Sequence, residues 1–194
     1  MASFILASAS PRRKDLLKLA EIPFEIIVSA TDESYPETLP ITEVPTYIAH
    51  QKAIAVANKV AETKAYKEAC IIAADTIVVI DDMILGKPKD REDAILSLTK
   101  LAGKTHQVIT GVSILCEDEI ISFSETTLVE FHPLSNDQIV YYVDNYKPFD
   151  KAGAYAIQEW IGVIGIKSIQ GDFYNVMGLP VSKLVQKLKQ LSLL

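Results

Sequence analysis

Two adjacent arginines near the start of the chain, Arg12 and Arg13, are the first residues whose type and position suggest chemistry. They follow Ser10, a favoured helix N-cap residue, and Pro11, which suits the first helical position, so both arginines are predicted in the first turn of a helix. A cation is unfavourable there unless an anion is also bound, because that turn carries unsatisfied N–H donors and the positive end of the helix dipole. With the Ser8 and Ser10 hydroxyls nearby, the pattern predicts an anion-binding site; two solvated surface arginines are the alternative.

A carboxylate, Asp75, interrupts the otherwise apolar run IIAADTIVVI. Burying an unpaired charge is costly, so Asp75 requires a partner, a bound metal or a proton. A strand end that reaches solvent and a structural salt bridge are the alternatives. Because candidate phosphate-binding cations occur elsewhere in the chain, the sequence favours a metal ligand or a general base.

A lysine, Lys52, lies in the predicted helix YIAHQKAIAVANKV, which is otherwise rich in Ala, Ile and Val. At about 3.6 residues per turn, it falls between Ile48 and Val56, near the apolar face. An ammonium that points inward needs an anion, although long lysine side chains also reach water from such positions. Lys59 has nearly the same azimuth, so the alternative is that both lysines mark the edge of the apolar face.

A second lysine candidate, Lys87, lies in the predicted turn LGKPKD. The P-loop pattern GxxxxGK[ST] is absent from the sequence, which argues against a Walker-type ATPase or GTPase. A solvated surface turn is the alternative for Lys87.

The segment PFDKAGAYAIQ combines Asp150, Lys151 and Gln158 with small residues. Gly153 allows a ligand or another backbone to approach closely. The Gln158 amide has both the donor and the acceptor needed to read the edge of a base. The alternative for Gln158 is a surface or capping side chain.

The overall composition limits the class of protein. The 194 residues are 49% hydrophobic with a mean hydropathy of +0.20, which is enough for one well-packed domain over residues 1–194, or one domain with two lobes. A net charge of −6 and a pI near 5.1 argue against binding to nucleic acid or an anionic membrane, because such binding needs many cations. Any anionic ligand must therefore be small and held by a local basic cluster.

The two cysteines, Cys70 and Cys116, have no CxxC spacing and lie in apolar, strand-like runs, so they are predicted to be buried free thiols in a reducing cytosol. The three histidines, His50, His106 and His132, lack metal-ligand spacing. No apolar run approaches the length of a membrane span, and the chain enters a strand without a signal-like leader. The sequence thus predicts a soluble cytoplasmic protein.

Strand-like and helix-like runs alternate along the chain, which predicts an α/β fold. The strands are expected at about 3–7, 24–30, 70–80, 107–116, 119–131 and 162–169. The helices are expected at about 11–20, 44–63, 91–102, 135–145 and 180–191, with Asp90 and Gly103 at the two ends of the third. Asp81-Asp82 separates two apolar runs as a hairpin turn does, and VSILCEDEIISF has the same pattern, so the sheet is predicted to be mixed.

Several motifs occur together in the order and approximate spacing found in one protein family: SASPRR, AADT, GKP, THQVITGV, DKAGAYAIQ and FYNVMGLP. Over about residues 4–185, the chain resembles the Maf family of nucleoside triphosphate pyrophosphatases. The resemblance implies the α/β fold of the inosine triphosphate pyrophosphatase-like (Maf/Ham-type) group, with a long twisted mixed sheet, two lobes and a central cleft. It also implies hydrolysis of a nucleoside triphosphate between its α- and β-phosphates, a divalent metal (Mg²⁺ or Mn²⁺), and a homodimer.

The resemblance also implies roles for individual residues. Asp75 corresponds to the family's catalytic acidic residue, and we assign it to metal binding and water activation, with Glu33 of TDES as a further candidate for the same metal. The cations expected to hold the triphosphate are Arg12, Arg13, Lys52 and Lys87.

The segment DKAGAY followed by Ile-Gln resembles the dTTP/UTP pyrophosphatase branch of the family. Arg12, Thr76 and Gln158 match positions that are associated with substrate choice in that branch. The remaining residues expected to bind substrate are Ser8, Ser10, Asp150 and Lys151.

Two positions depart from the family pattern. Ala9 stands where Gly is frequent, and we expect little effect unless this loop requires a positive φ. Glu159 stands where Gly commonly follows the Gln, so this carboxylate beside Gln158 affects how the base is recognised.

Two other functions are the alternatives: a pyrophosphatase selective for inosine or modified guanine nucleotides, and a nucleotide-binding regulator of cell division without catalysis.

Overall fold

Strands and helices alternate along the chain, as the apolar periodicity predicted. The structure, a computed structural model, describes residues 3–63, 66, 68–117 and 119–194. Its strands are β1 Ser3–Leu6, β2 Phe24–Ile26, β3 Ala69–Ile80, β4 Met83–Leu85, β5 Thr105–Cys116, β6 Glu119–Phe131 and β7 Ile166–Gln170. Its α-helices are α1 Pro11–Leu19, α2 Val44–Val60, α3 Arg91–Leu101, α4 Asn136–Tyr146, α5 Trp160–Gly165, α6 Phe173–Met177 and α7 Val181–Gln190. Over the described residues, none of these helices is both long enough and apolar enough to cross a membrane.

In the part of the chain that the structure describes, one sheet contains seven strands, in the order β2-β1-β3-β5-β6-β7, with β4 paired to β3. β1 runs parallel to both β2 and β3, whereas β3 and β4, and β6 and β7, are antiparallel pairs. The predicted mixed α/β sheet is therefore confirmed.

Both predicted hairpins join strands that are neighbours in the sheet. Asp81 and Asp82 connect β3 to β4 with φ values of 49° and 56°. Two consecutive positive φ values are what the tight turns of two-residue hairpins require, and Asp tolerates them. The second hairpin connects β5 to β6; Asp118 in its turn lies outside the described residues.

The chain divides into two compact units, each assembled from segments that are distant in sequence. The first unit contains residues 1–75, 110–125 and 178–194, and the second contains residues 76–109 and 126–177. Three long strands, β3, β5 and β6, contribute residues to both units. The single domain expected over residues 1–194 stays a prediction.

In the first unit, α2 packs against the sheet and carries Lys52. The buried residues of this contact are Ile5, Ala7, Ala53, Val56, Val60, Ala69, Ile71 and Ala73. Gly111 on β5 lies against the start of α2, where a Cβ atom would be 2.2 Å from the backbone nitrogen of Thr46. The helix can reach its position only because residue 111 has no side chain.

The second unit has its own apolar core between β3, β5, β6 and three helices. The core residues are Val78, Ile80, Leu85, Ala94, Leu98, Leu101, Val108, Val129, Phe131, Ile139, Tyr142, Val143, Ala154, Tyr155, Ile157 and Ile161. Side-chain caps define the helices that supply part of this core. Asp90 accepts a hydrogen bond from the Asp93 N–H at 2.8 Å, and Ser135 and Gln138 form a reciprocal capping box at the start of α4.

Two predicted strands differ from the observed ones. Residues 160–165 form α5 rather than the beginning of the strand expected at 162–169, and β7 starts only at Ile166. Gly162 allows this short helix, because a Cβ atom there would lie 1.8 Å from the carbonyl oxygen of Ile157. β2 ends at Ile26 instead of extending to residue 30.

The two cysteines form a disulfide, so the prediction of free thiols is wrong. Cys70 lies near the start of β3 and Cys116 at the end of β5, and these strands are neighbours in the sheet with the two Cα atoms 4.4 Å apart. Spacing along the chain does not reveal the pair because the partners are separated by 46 residues. The pairing removes the argument for a reducing cytosol that rested on free thiols.

Candidate functional site

Arg13, in the first turn of α1, is buried and held from two sides. Its Nε donates to the carbonyl oxygen of Gly178 at 2.8 Å, and its Nη1 donates to Ser8 Oγ at 3.1 Å. Ser8 is also buried, and its Oγ accepts from the Ser10 N–H at 3.3 Å. The segment that starts the helix therefore also orients the guanidinium.

The start of α1 agrees with the sequence prediction in its positions. Ser10 is the N-cap residue, Pro11 opens the helix, and no acidic residue lies in the first turn. The Ser10 side chain makes no capping hydrogen bond in this described segment. Ala9 does not adopt a positive φ, so Ala is acceptable where the family often has Gly.

The charges around Arg13 connect it to two carboxylates. Burial lowers the pKa of Arg13, while Asp75 and then Glu33 act to raise it and the half-buried Arg12 acts to lower it further. Asp75, Arg12 and Glu33 are therefore each within electrostatic range of Arg13. The first unit thus brings Arg13 of α1 close to Asp75.

Lys52 joins Asp75 to Glu33. Its Nζ lies 2.7 Å from Asp75 Oδ1 and 2.7 Å from Glu33 Oε1. The Lys52 and Asp75 side chains are only 16% and 13% exposed, whereas Glu33 is 47% exposed. Lys59 is exposed and donates instead to the Val28 carbonyl oxygen at 2.7 Å. Lys52 is therefore the lysine of α2 that faces the candidate site.

Asp75 and Glu33 have the donor chemistry of a hard divalent cation. One oxygen of each carboxylate contacts the same nitrogen, so these oxygens converge on one region. Mg²⁺ typically takes one or two carboxylates and completes its octahedron with water and phosphate oxygens. Among the residues described, no cluster of three His, Cys, Asp or Glu side chains could hold a metal ion. The assignment of Asp75 and Glu33 as metal ligands stays a prediction.

In the second unit, the turn that carries Lys87 is attached to the DKAG segment. The Gly153 N–H donates to the Gly86 carbonyl oxygen at 3.1 Å, and Lys87 follows directly as an exposed residue. Gly153 has a φ of +68°, and a Cβ atom there would lie 2.9 Å from a methyl group of Val78. A residue other than glycine would be strained and crowded at this contact.

Lys151 is buried between two carboxylates, although it is charged. It is 7% exposed, and its Nζ lies 2.8 Å from Asp150 Oδ1 and 3.4 Å from Glu159 Oε1. Glu159 in turn accepts a short hydrogen bond from the Tyr142 hydroxyl. The position that departs from the family pattern is therefore part of a partly buried polar network.

Gln158 lies beside this network with its side chain exposed. Its neighbours Ala156 and Ile157 are buried. Thr76 follows Asp75 on β3 and is half-buried. The first unit thus brings together Ser8, Arg12, Arg13, Glu33, Lys52 and Asp75. In the second unit, Asp150 contacts Lys151, and Lys87 lies next to the hydrogen bond between Gly153 and Gly86.

Sequence reasoning does not identify Tyr142 and Gly178, which contact these clusters, or the buried Asn175. Tyr142 lies in a segment predicted only as a helix, and Gly178 contributes a backbone carbonyl, which no side-chain pattern indicates. Asn175 is fully buried and donates to the Val108 carbonyl oxygen and to Thr127 Oγ1, both at 3.0 Å. A single amide within the apolar motif FYNVMGLP was the available signal for Asn175.

Buried cations and paired carboxylates on an α/β sheet define a class of protein that can bind phosphorylated ligands. The profile of the Maf-like protein family matches residues 3–191, and the chain belongs to this family.

Relatives of this chain include proteins named dTTP/UTP pyrophosphatase. The one from Parabacteroides distasonis is 50% identical over 95% of this chain and 94% of its own length. The one from Cytophaga hutchinsonii is 51% identical over 96% of this chain and 83% of its own length. Among solved structures, the Staphylococcus aureus Ham1 protein aligns with a TM-score of 0.47 and 17% identity, covering 66% of this chain and 71% of that chain.

Proposed function

We propose that this protein is a nucleoside triphosphate pyrophosphatase that hydrolyses dTTP and UTP to the monophosphate and pyrophosphate. The observation that carries the proposal is the contact of Lys52 with both Asp75 and Glu33, in a unit that also holds Arg13. The names of the relatives from Parabacteroides distasonis and Cytophaga hutchinsonii support the same reaction.

In this mechanism, Asp75 acts on the attacking water. Its carboxylate accepts a proton as the water oxygen attacks the α-phosphorus, and pyrophosphate leaves with the electron pair of the broken P–O bond. Asp75 and Glu33 would hold a divalent cation, Mg²⁺ or Mn²⁺, which when bound supplies charge neutralisation for the phosphates.

The cations position the triphosphate. An ammonium has three N–H donors, and Asp75 and Glu33 use two of those of Lys52, so the third can donate to a phosphate oxygen. Arg12 and Arg13 lie at the start of α1, where an anion is favoured. Lys87 and Lys151 are also proposed to bind phosphate, with Asp150 in contact with the Lys151 ammonium.

Base selection is assigned to the second unit. The Gln158 amide can donate to a carbonyl oxygen of uracil or thymine and accept from the ring N3–H. Thr76 and Arg12 are the other two positions proposed to influence substrate choice, and Ser8 and Ser10 are proposed to bind substrate beside Arg12 and Arg13. We also propose a cytoplasmic homodimer; light scattering of the purified protein tests the dimer.

A substrate panel tests the proposal. We expect pyrophosphate release from dTTP and UTP in the presence of Mg²⁺, with much slower release from CTP, dGTP and ITP and little release when the metal is chelated. A protein that prefers ITP or a guanine analogue would instead be the purine-selective enzyme. A protein that binds nucleotides without turnover would be a regulator, and both results contradict the proposal.

A further inference from the structure

Gln158 lies in a tight turn that hydrogen bonds close at both ends. The Glu159 N–H donates to the Ala156 carbonyl oxygen at 3.1 Å, which closes the turn over residues 156–159. The Ala156 N–H donates to the Tyr142 hydroxyl oxygen at 3.2 Å, and that hydroxyl donates to Glu159 Oε2. These three hydrogen bonds form a closed ring through Tyr142, Ala156 and Glu159, which we call the turn clamp.

The turn clamp is attached to rigid parts of the second unit. Tyr142 is fully buried on α4, within the apolar core. Burial and the hydrogen bond to Glu159 raise the pKa of Tyr142, so the phenol keeps the proton that it donates. The other carboxylate oxygen of Glu159 faces the buried ammonium of Lys151 at 3.4 Å.

The turn is held from the following helix as well. The Glu159 carbonyl oxygen accepts from the Gly162 N–H at 2.9 Å as α5 begins. The Ile157 carbonyl oxygen lies so close to Gly162 that a Cβ atom there would be 1.8 Å away. Residues on both sides of Gln158 are therefore fixed, while the Gln158 side chain itself stays exposed.

We propose that Glu159 is a positioning residue for Gln158 and thereby sets the preference for uracil and thymine; this inference rests on the proposed function, in which Gln158 contacts the base. Uracil and thymine present a carbonyl oxygen beside N3–H, whereas cytosine and the purines present other patterns of donors and acceptors. An amide distinguishes these patterns only when its position is held to within about 0.5 Å. The turn clamp supplies this restraint, and Glu159 is the residue that closes it.

The test compares the ratio of kcat/KM for dTTP to kcat/KM for ITP in the parent and in Glu159→Ala. We expect the ratio to fall about 10-fold, mainly through a higher KM for dTTP, with kcat at saturation nearly unchanged. Tyr142→Phe removes the hydroxyl from the same ring and should lower the ratio similarly. Because both variants act through Gln158, adding Gln158→Ala to Glu159→Ala should lower the ratio no further than Gln158→Ala alone.

Two controls separate positioning from a general loss of structure or charge. Glu159→Gln keeps an acceptor for the Tyr142 hydroxyl but removes the charge beside Lys151, and it should retain most of the preference. Glu130→Ala removes a carboxylate that likewise accepts from a lysine and a hydroxyl, Lys167 and Ser168, and it should leave the ratio unchanged. Thermal unfolding of each variant shows which of them remain folded.

The results distinguish the inference from the proposed function. If the parent prefers dTTP and both Glu159→Ala and Tyr142→Phe keep that preference, the inference is wrong and the proposed function stands. If the losses from Glu159→Ala and Gln158→Ala simply add, Glu159 acts independently of Gln158 and the inference is also wrong. If the parent shows no preference for dTTP or UTP, both are wrong.

Discussion

Lys52 and Asp75 form an ion pair at 2.7 Å in which both side chains are mostly buried. Asp75 is the charged residue that interrupts an apolar strand, and Lys52 comes from the middle of α2. The ion pair neutralises both charges, and Glu33 contacts the same ammonium at 2.7 Å. In the proposed function, a phosphorylated ligand enters a site whose charges are already arranged, which lowers the cost of ordering them.

Asp75→Asn is expected to reduce turnover by at least about 1,000-fold, because an amide keeps the volume but cannot accept the proton of water or neutralise a metal. Pyrophosphate release at saturating Mg²⁺ measures this loss, and circular dichroism checks the fold. Asp81→Asn is the matched control, because Asp81 also contacts a lysine, Lys104 at 2.9 Å, but on the exposed turn after β3. Turnover of Asp75→Asn within a few-fold of the parent would remove Asp75 from the mechanism.

Lys52→Ala is expected to lower kcat/KM for dTTP by about 2 kcal/mol or more, the usual size of a charge-assisted contact in a partly dry site. Lys59→Ala should change it little, because Lys59 is exposed and contacts a backbone carbonyl oxygen. Steady-state kinetics of both variants at two salt concentrations decides between the two lysines. Equal losses would show that the wrong lysine of α2 has been assigned.

Gln158→Ala should lower kcat/KM for dTTP and UTP by roughly 1–3 kcal/mol, the usual value of a bidentate base contact, and should flatten the preference over purine triphosphates. Binding of the triphosphate group should be unaffected, so rates with ITP should stay close to those of the parent. Gln190→Ala, at an exposed position on α7, is the control. An unchanged order of substrates would place base recognition on another residue.

Protein stability should decrease in mild acid because of His106. This histidine is buried, with its Nε2 against the Tyr155 hydroxyl at 2.8 Å and, within the described residues, no hydrogen-bond partner for Nδ1. Burial lowers the pKa of His106 from 6.5 to about 4, so between these pH values the unfolded chain binds a proton that the folded chain excludes. The stability that the folded protein gains by keeping His106 neutral is therefore fully present above pH 6.5 and is lost progressively as the pH falls toward 4.

Urea unfolding at two pH values measures this effect. From pH 7 to pH 5, the free energy of unfolding should fall by about 2 kcal/mol through His106 alone. The His106→Gln variant should be less stable at pH 7 but should lose less on acidification. His132→Gln, at an exposed position, should keep the pH dependence of the parent. If His106→Gln lost as much stability on acidification as the parent, another group would be responsible for the effect.

Much of the fold could be predicted from the sequence because its signals are local. Asp90, Gly103 and the Asp81-Asp82 turn act through neighbouring backbone groups, so these residue types indicate where the helix and the strands begin and end. The disulfide between Cys70 and Cys116 and the short helix α5 depend on contacts between distant or tightly packed segments. Apolar periodicity carries no information about such contacts.

The candidate site likewise contains residues that the sequence indicates and residues that only the packing of the chain specifies. Asp75 and Lys52 could be found because each charge contradicts its apolar surroundings, and the structure places them in contact. The part played by Glu159 could not be predicted, because its partners Tyr142 and Lys151 are specified by how α4 packs beside the turn at 156–159. A departure from the family pattern was the available signal, and it did not indicate which groups Glu159 contacts.

The Arg13 Nε donates to the carbonyl oxygen of Gly178, which lies 165 residues further along the chain. The first unit likewise includes residues 178–194. Domains commonly fold as units during synthesis, with the N-terminal part first. Here the carbonyl that orients Arg13 is synthesised 165 residues after the arginine itself. The hydrogen bond that fixes the guanidinium at the start of α1 therefore forms only after residue 178 has been synthesised.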